Sequence, residues 1–471
     1  DPPHETQSAR YGLPMPKPTP ERVFTPNAVA SADMFARRNE PDRFGNPGLQ
    51  DRYVQSLLQI GAQIRVFGDT GVGKTSLAII GAGEAEMKPL VVQCRSSQDF
   101  GQIIEQAICG IRGLRLASYT TRKELSSAVS GEGGWRWLAS IRGEITGSAA
   151  KERQFERIDK HPIDLLTDLM VEQGYSILIL DNFHNIRDES TRREIAQTME
   201  VLADRATATR NLTLVAIGIA ESADGLLTSS PSVRRRTIDI GVPRMPDQEI
   251  EAVFEKGFRL LGLQVPKELL EHLVYFADGF PFYAHLLGLN VSRASGLDEA
   301  RVVSRAHVGA ALLRTTNEVE ETYSTLIRSS IAQATAKTSI VELLKLLAGS
   351  RTRSWSTREV QDLWRANSPD SDRIPGLREL QEMLESLAAN KENPLLRLTG
   401  LGSPPAYRFA DPHLRTYLRL ASESGLVGLD ELEWMEDDSA LSLTKQGSGV
   451  IPSDRSVLHL SHRRIEDIDD L

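Results

Sequence analysis

Between a short apolar run at residues 64–67 and a helical stretch opening at Lys74 stands the octapeptide Gly68-Asp69-Thr70-Gly71-Val72-Gly73-Lys74-Thr75. It fits G-x-x-x-x-G-K-[ST] at every fixed position and lies in the strand–turn–helix context that gives the pattern its meaning. Glycines permit backbone angles that turn successive N–H groups toward one point, and the helix that follows adds its N-terminal dipole. Together they make a cradle for a polyphosphate. Lys74 is placed to reach the outer phosphates as a point charge, and Thr75 to offer its hydroxyl to Mg²⁺. The expected ligands are therefore ATP and Mg²⁺, and the expected binding residues are Gly68, Asp69, Thr70, Gly71, Val72, Gly73, Lys74, Thr75 and Ser76.

A strand that ends in such a loop belongs to a parallel sheet, and the downstream pattern agrees. Apolar runs at residues 90–94, 177–180, 212–219 and 237–240 alternate with helical spacing at 74–86, 100–111 and 191–205. The run Ser176-Ile177-Leu178-Ile179-Leu180 ends in Asp181, which is expected to share the metal with Thr75 and to act in catalysis beside Lys74. The next residue is Asn182, where a carboxylate commonly orients the attacking water. An amide can position water but cannot take its proton, so slow hydrolysis is expected. Glu189 and Glu221 are the alternative bases, and His184 lies nearby.

Composition restricts the remaining possibilities. With 471 residues, 40 % hydrophobic and 25 % charged, the chain is of ordinary globular balance and long enough for several domains. No apolar run approaches the ~20 residues of a membrane span. Two cysteines, Cys94 and Cys109, do not make a disulfide framework, so a reducing cytoplasm is expected. The net charge is −9, with 11 acidic against 4 basic residues from Leu429 onward, which leaves a nearly neutral body. That is not the balance of a strong phosphate-backbone binder. Six prolines in the first twenty residues argue against a packed core there, and residues 115–160, rich in Ser, Gly and charge, are expected to be an insertion.

The order of phosphate loop, acid-tipped strand, further strand and helical region resembles the AAA+ class of P-loop NTPases and its STAND relatives, over roughly residues 46–420. The resemblance implies an α/β fold: a parallel-sheet P-loop NTPase domain of order 5-1-4-3-2, followed by a helical lid and a winged-helix domain. The expected divisions are a Pro-rich extension at 1–45, the ATPase domain at 46–245, lid and connecting helix at 246–335, winged helix at 336–421 and an acidic tail at 422–471. Gly279-Phe280-Pro281 resembles the GxP segment of STAND proteins, which implies that Pro281 lies near nucleotide; no sensor-2 Arg follows, and Phe282 and Tyr283 occupy the neighbouring places. In Ser232-Val233-Arg234-Arg235-Arg236, with Arg235 at the centre of the basic run, the resemblance implies an arginine finger for a neighbouring subunit's nucleotide, whereas the residues alone read equally as a solvated basic turn. No clear sensor-1 residue follows the run at 212–219.

The implied function is a slowly hydrolysing ATP/ADP switch that forms a homo-oligomer and acts through a partner protein, in bacterial signalling or anti-phage defence. The alternative is a DNA-associated AAA+ regulator of transposition or remodelling. Residues 337–419 carry 13 basic and 10 acidic side chains, yet the third helix of that unit presents Glu379, Glu382 and Glu385 against Arg378, which disfavours DNA docking.

Overall fold

The computed structural model of the chain describes residues 18–40, 47–112, 162–207, 211–220, 231–297, 299–332, 337–367, 374–390, 393–399 and 405–424. The expected insertion at 115–160, Glu221 and nearly all of the acidic tail lie outside these residues. Two compact units divide the chain: Val29–Met245 form one, and the residues before Val29 together with those from Pro246 onward form the other.

The first unit is built on a five-stranded, wholly parallel sheet. Its elements run α1 (Leu49–Leu58), β1 (Gln63–Gly68), α2 (Lys74–Glu84), β2 (Pro89–Gln93), α3 (Phe100–Arg112), α4 (Pro162–Glu172), β3 (Ile177–Asp181), α5 (Glu189–Asp204), β4 (Thr213–Ile219), α6 (Pro231–Arg236) and β5 (Thr237–Gly241). The strand order is β2-β3-β4-β1-β5, the order the sequence resemblance implies. Strands covered on both faces read as continuous apolar runs. Accordingly every residue of β3 is buried, with Leu178 and Leu180 packing toward Ile103, Ile195 and Met199 on one side. Parallel register brings the carboxyl ends of the strands to one edge: Gln93 lies opposite Asp181 and Gly68 opposite Ile219. Ligands of open α/β sheets bind at that edge. Three helices escaped the sequence patterning, α1, α4 and α6. The start of α5 is set by Asp188, whose carboxylate accepts from Thr191 N at 2.8 Å.

The second unit begins as a helical bundle of α7 (Asp247–Leu261), α8 (Lys267–Ala277), α9 (Pro281–Leu297) and the long α10 (Arg305–Ala332). There follow α11 (Lys337–Gly349), β6 (Trp355–Ser356), α12 (Thr357–Asn367), α13 (Leu377–Ala389), β7 (Leu396–Thr399), β8 (Ala406–Phe409) and α14 (Pro412–Ser424). The last strands form a three-stranded antiparallel sheet of order β6-β8-β7. Trp355, Trp364, Leu384 and Phe409 belong to one core beneath it.

The expectation that the Pro-rich beginning holds no packed core is corrected at residues 19–25. A single helical turn, Pro20–Val23, delivers Phe24 into a slot in the helical bundle, where it has no exposed surface. Its ring lies 5.3 Å from that of Phe258, and Thr25 N donates to His285 Nδ1 at 3.0 Å. Gly257 and Gly288 open the slot: a Cβ at either would stand 2.2–2.3 Å from the Phe24 ring. One aromatic residue with enough apolar surface anchors the segment despite its composition.

Candidate phosphate-binding site

The loop from Gly68 to Thr75 leaves β1 and enters α2 with three glycines in backbone states that side chains avoid: φ is +152° at Gly68, +70° at Gly71 and +85° at Gly73. Gly68 has a steric reason as well, since a Cβ there would meet Val242 O at 2.3 Å. Lys74, the first residue of α2, is nearly buried, and its ammonium donates to Gly68 O at 3.1 Å and Asp69 O at 2.5 Å. Burial lowers its pKa from 10.5 to about 8, opposed by the carboxylates of Asp69 and Asp181. A desolvated ammonium at the start of a helix is held ready for a negatively charged partner.

The structure brings Thr75 and Asp181, the two expected metal residues, together. The hydroxyl Oγ1 lies 3.1 Å from each carboxylate oxygen of Asp181. Asp181 is buried at the end of β3, and its Oδ1 also accepts from Asn182 N at 2.9 Å. A threonine hydroxyl beside a carboxylate offers the hard oxygen donors that Mg²⁺ takes when phosphates and waters complete its shell. The donor set thus fits the metal, with Thr75 and Asp181 as the residues that would hold it. Among the described residues there is no group of three or more His, Cys, Asp or Glu side chains that could hold a metal without such help.

Sequence reasoning missed Gln93. From the end of β2 its Nε2 donates to Asp181 Oδ2 at 3.1 Å, and its Oε1 accepts from Asn182 Nδ2 at 3.0 Å. Its place follows from the sheet register and not from a sequence pattern: Gln93 ends the strand next to β3, opposite Asp181. Asn182 adopts left-handed backbone, with φ +57° and ψ +33°. Asn and Asp tolerate that conformation better than other side chains do, which supplies a backbone reason for this residue type. His184 follows in a 3₁₀ turn; burial and then Lys74 lower its pKa, against the opposing charge of Asp181. Its Nδ1 is buried without a hydrogen-bond partner among the described residues. Burial and Asp181 push the Cys94 thiol up to about 12, so this cysteine is not a reactive thiolate.

The remaining predicted residues fall elsewhere. Ser76 lies in the first turn of α2, where its Oγ accepts from Ala30 N at 3.2 Å. Glu189 is the first residue of α5. In α6 the three arginines differ. Arg236 pairs with Asp204 at 2.7 Å and Glu200 at 3.7 Å within its own chain, whereas Arg235 is exposed. Pro281 begins α9 in the helical unit, not in the unit that carries the loop.

No family model matches the chain, and no curated protein does. Solved structures with a related course include a Walker-type ATPase of Pyrococcus abyssi at 17 % identity, covering 82 % of this chain and 99 % of that one with a TM-score of 0.43. The Aeropyrum pernix ORC2 protein, solved as ADPNP–ADP complexes, is 13 % identical over 82 % of this chain and 91 % of its own, with a TM-score of 0.44. The Thermotoga maritima RuvB branch migration motor is 12 % identical over 80 % and 96 %, with a TM-score of 0.36. At these identities and scores none of them transfers an activity to this chain.

Proposed function

We propose that the chain is an ATP-binding, slowly hydrolysing switch of the AAA+/STAND type. The observation that carries this reading is the pairing of Thr75 Oγ1 with both oxygens of Asp181, at 3.1 Å each, at the mouth of the Gly68–Thr75 loop. Backbone N–H groups of the loop would hold the phosphates, and Lys74 would turn from its loop carbonyls to the outer phosphate oxygens. Bound Mg²⁺ would supply neutralisation of charge between the outer phosphates. Asn182 would position water without accepting its proton, and Gln93 holds its amide in place. The expected consequence is tight binding with slow turnover, which suits a long-lived state better than a motor.

Assembly into a homo-oligomer and output through a partner protein complete the proposal, with Arg235 reaching a neighbouring subunit's nucleotide. The helix–strand–helix–helix–hairpin–helix order of α11 to α14 supports a winged helix, and the division of the chain near Pro246 supports a lid beginning there. No described helix is long and apolar enough to cross a membrane, which accords with the proposed cytoplasmic setting. Bacterial signalling or anti-phage defence is the role proposed for such a switch.

One observation favours the DNA-associated alternative: Arg397 of β7 pairs directly with Arg408 of β8, two like charges side by side on a hairpin. Against it, Glu379, Glu382 and Glu385 are all exposed on α13. Size-exclusion chromatography with light scattering, run with ADP, a non-hydrolysable ATP analogue and duplex DNA, separates the two readings. A mass increase with the analogue alone supports the switch. Tight DNA binding at physiological salt would favour the alternative.

A further inference from the structure

Arg38 is an unusual residue to find beneath a phosphate loop. It lies 36 residues upstream of Lys74, outside every motif, yet only 3 % of its surface is exposed. Its Nη2 donates to Pro243 O at 2.7 Å, beyond the end of β5, and its Nη1 to Val72 O at 3.4 Å, in the middle of the loop. Its own carbonyl accepts from Gln50 N in α1 at 3.0 Å, so the backbone that carries it is fixed as well. All these residues belong to the sheet unit.

The geometry matters because of what lies across one peptide bond. In a planar trans peptide the C=O of one residue and the N–H of the next point in opposite directions. A donor that holds the Val72 carbonyl therefore fixes the Gly73 N–H to point away from Arg38. Gly73 sits at φ +85°, and a glycine populates negative φ about as readily. Nothing intrinsic to Gly73 keeps that peptide plane from turning over, so the restraint has to come from outside the loop. The same guanidinium grips the strip Val242–Pro243, whose Val242 O abuts Gly68 at the start of the loop. One planar fork thus ties the middle of the loop to the backbone that flanks its beginning, a task that suits Arg and not Lys.

We propose that Arg38 is a positioning residue of the phosphate site: it holds the Val72–Gly73 peptide so that the Gly73 N–H is presented to a bound phosphate. The proposal rests on the reading of this loop as a nucleotide site, and deepens it.

The test uses the full chain and the variants Arg38→Met and Arg38→Lys. Two quantities are measured in each: calorimetric affinity for ATP and for tripolyphosphate, and the amide resonance of Gly73 in nucleotide-free, glycine-labelled protein. Both variants are expected to lose at least about tenfold in affinity for both probes, the cost of about one misplaced charge-assisted donor. The Gly73 resonance is expected to move or broaden in each. The tripolyphosphate loss places the effect at the phosphates and not at the base. Wild-type affinity and an unmoved Gly73 signal in folded variants would overturn the proposal. So would failure of both variants to fold, which would make Arg38 a stability element. If the wild type itself bound no ATP, the nucleotide reading would fall, while the Gly73 signal would still decide the role of Arg38.

Discussion

Lys74 shows how much one residue can be asked to do. Its ammonium is desolvated, and its pKa falls from 10.5 to about 8 in the folded chain. The unfolded chain therefore binds more protons between those two values, and stability should rise with pH across pH 8 to 10.5. The burial penalty is fully present below pH 8 and gone above 10.5. It amounts to at most about 3 kcal/mol. Lys74→Met, which keeps the stem and removes the charge, is expected to raise the melting temperature at pH 7, to abolish the stability rise above pH 8, and to eliminate nucleotide binding. Thermal unfolding of both proteins from pH 7 to 10 checks the sign. A variant less stable than wild type at pH 7 would contradict it.

Asn182 carries a second prediction at this scale. Its left-handed backbone would be strained by Glu, so Asn182→Asp is the better probe of a missing base. General-base help is worth about 10²–10⁴-fold. Single-turnover hydrolysis should be slow in the wild type and at least about tenfold faster in Asn182→Asp. A rapid wild-type rate would mean that another residue supplies the base.

At the scale of elements, the strands and the loop were legible because a buried parallel strand and a phosphate loop each have one strong pattern. The run at 177–180 with its terminal Asp181 could be placed without any partner in view, and so could Gly68–Thr75. Gln93 and Arg38 could not, because their importance lies in what the sheet register and a distant carbonyl bring to them, and neither leaves a periodic trace. Phe24 was obscured by the prolines around it, since composition averages over the single aromatic residue that anchors the segment. Its slot is testable. Phe24→Ala should cost about 3–5 kcal/mol as a large-to-small change at a fully buried ring. Gly257→Ala, whose Cβ would stand 2.2 Å from that ring, should cost about 1–3 kcal/mol by overpacking. Urea unfolding of the two variants measures both, and two wild-type curves would refute the anchoring role.

Across the whole molecule, the helical unit is held together by charge as well as by packing. Asp278, buried just after α8, receives Arg415 Nη1 at 3.1 Å and Arg419 Nη1 at 3.3 Å from α14. The same two arginines donate to Ala348 O and Ser350 O at the end of α11. His413 stacks on Phe280 at 4.3 Å, and Tyr323 of α10 donates to Asp411 at 3.1 Å. The residues leading into Pro281 are therefore tied to the last helix of the chain, so α8, the start of α9 and the carboxyl-terminal helices of this unit are expected to move together. Breaking a buried ion pair from one side typically costs about 3–5 kcal/mol. Asp278→Ala should lower stability by that order and separate the unfolding of α14 from that of α8 in hydrogen exchange. Retained cooperativity between the two helices would contradict the coupling.

Every functional step above depends on nucleotide at the Gly68–Thr75 loop. The most direct measurement is isothermal titration of the full chain with ATP in the presence of Mg²⁺, with Lys74→Ala and Asp181→Asn alongside. The expected result is one site per chain in the wild type, binding lost in Lys74→Ala, and Mg²⁺ dependence lost in Asp181→Asn, with all three proteins folded. Absence of binding by the wild type, or wild-type affinity in a folded Lys74→Ala, would contradict the account at its centre.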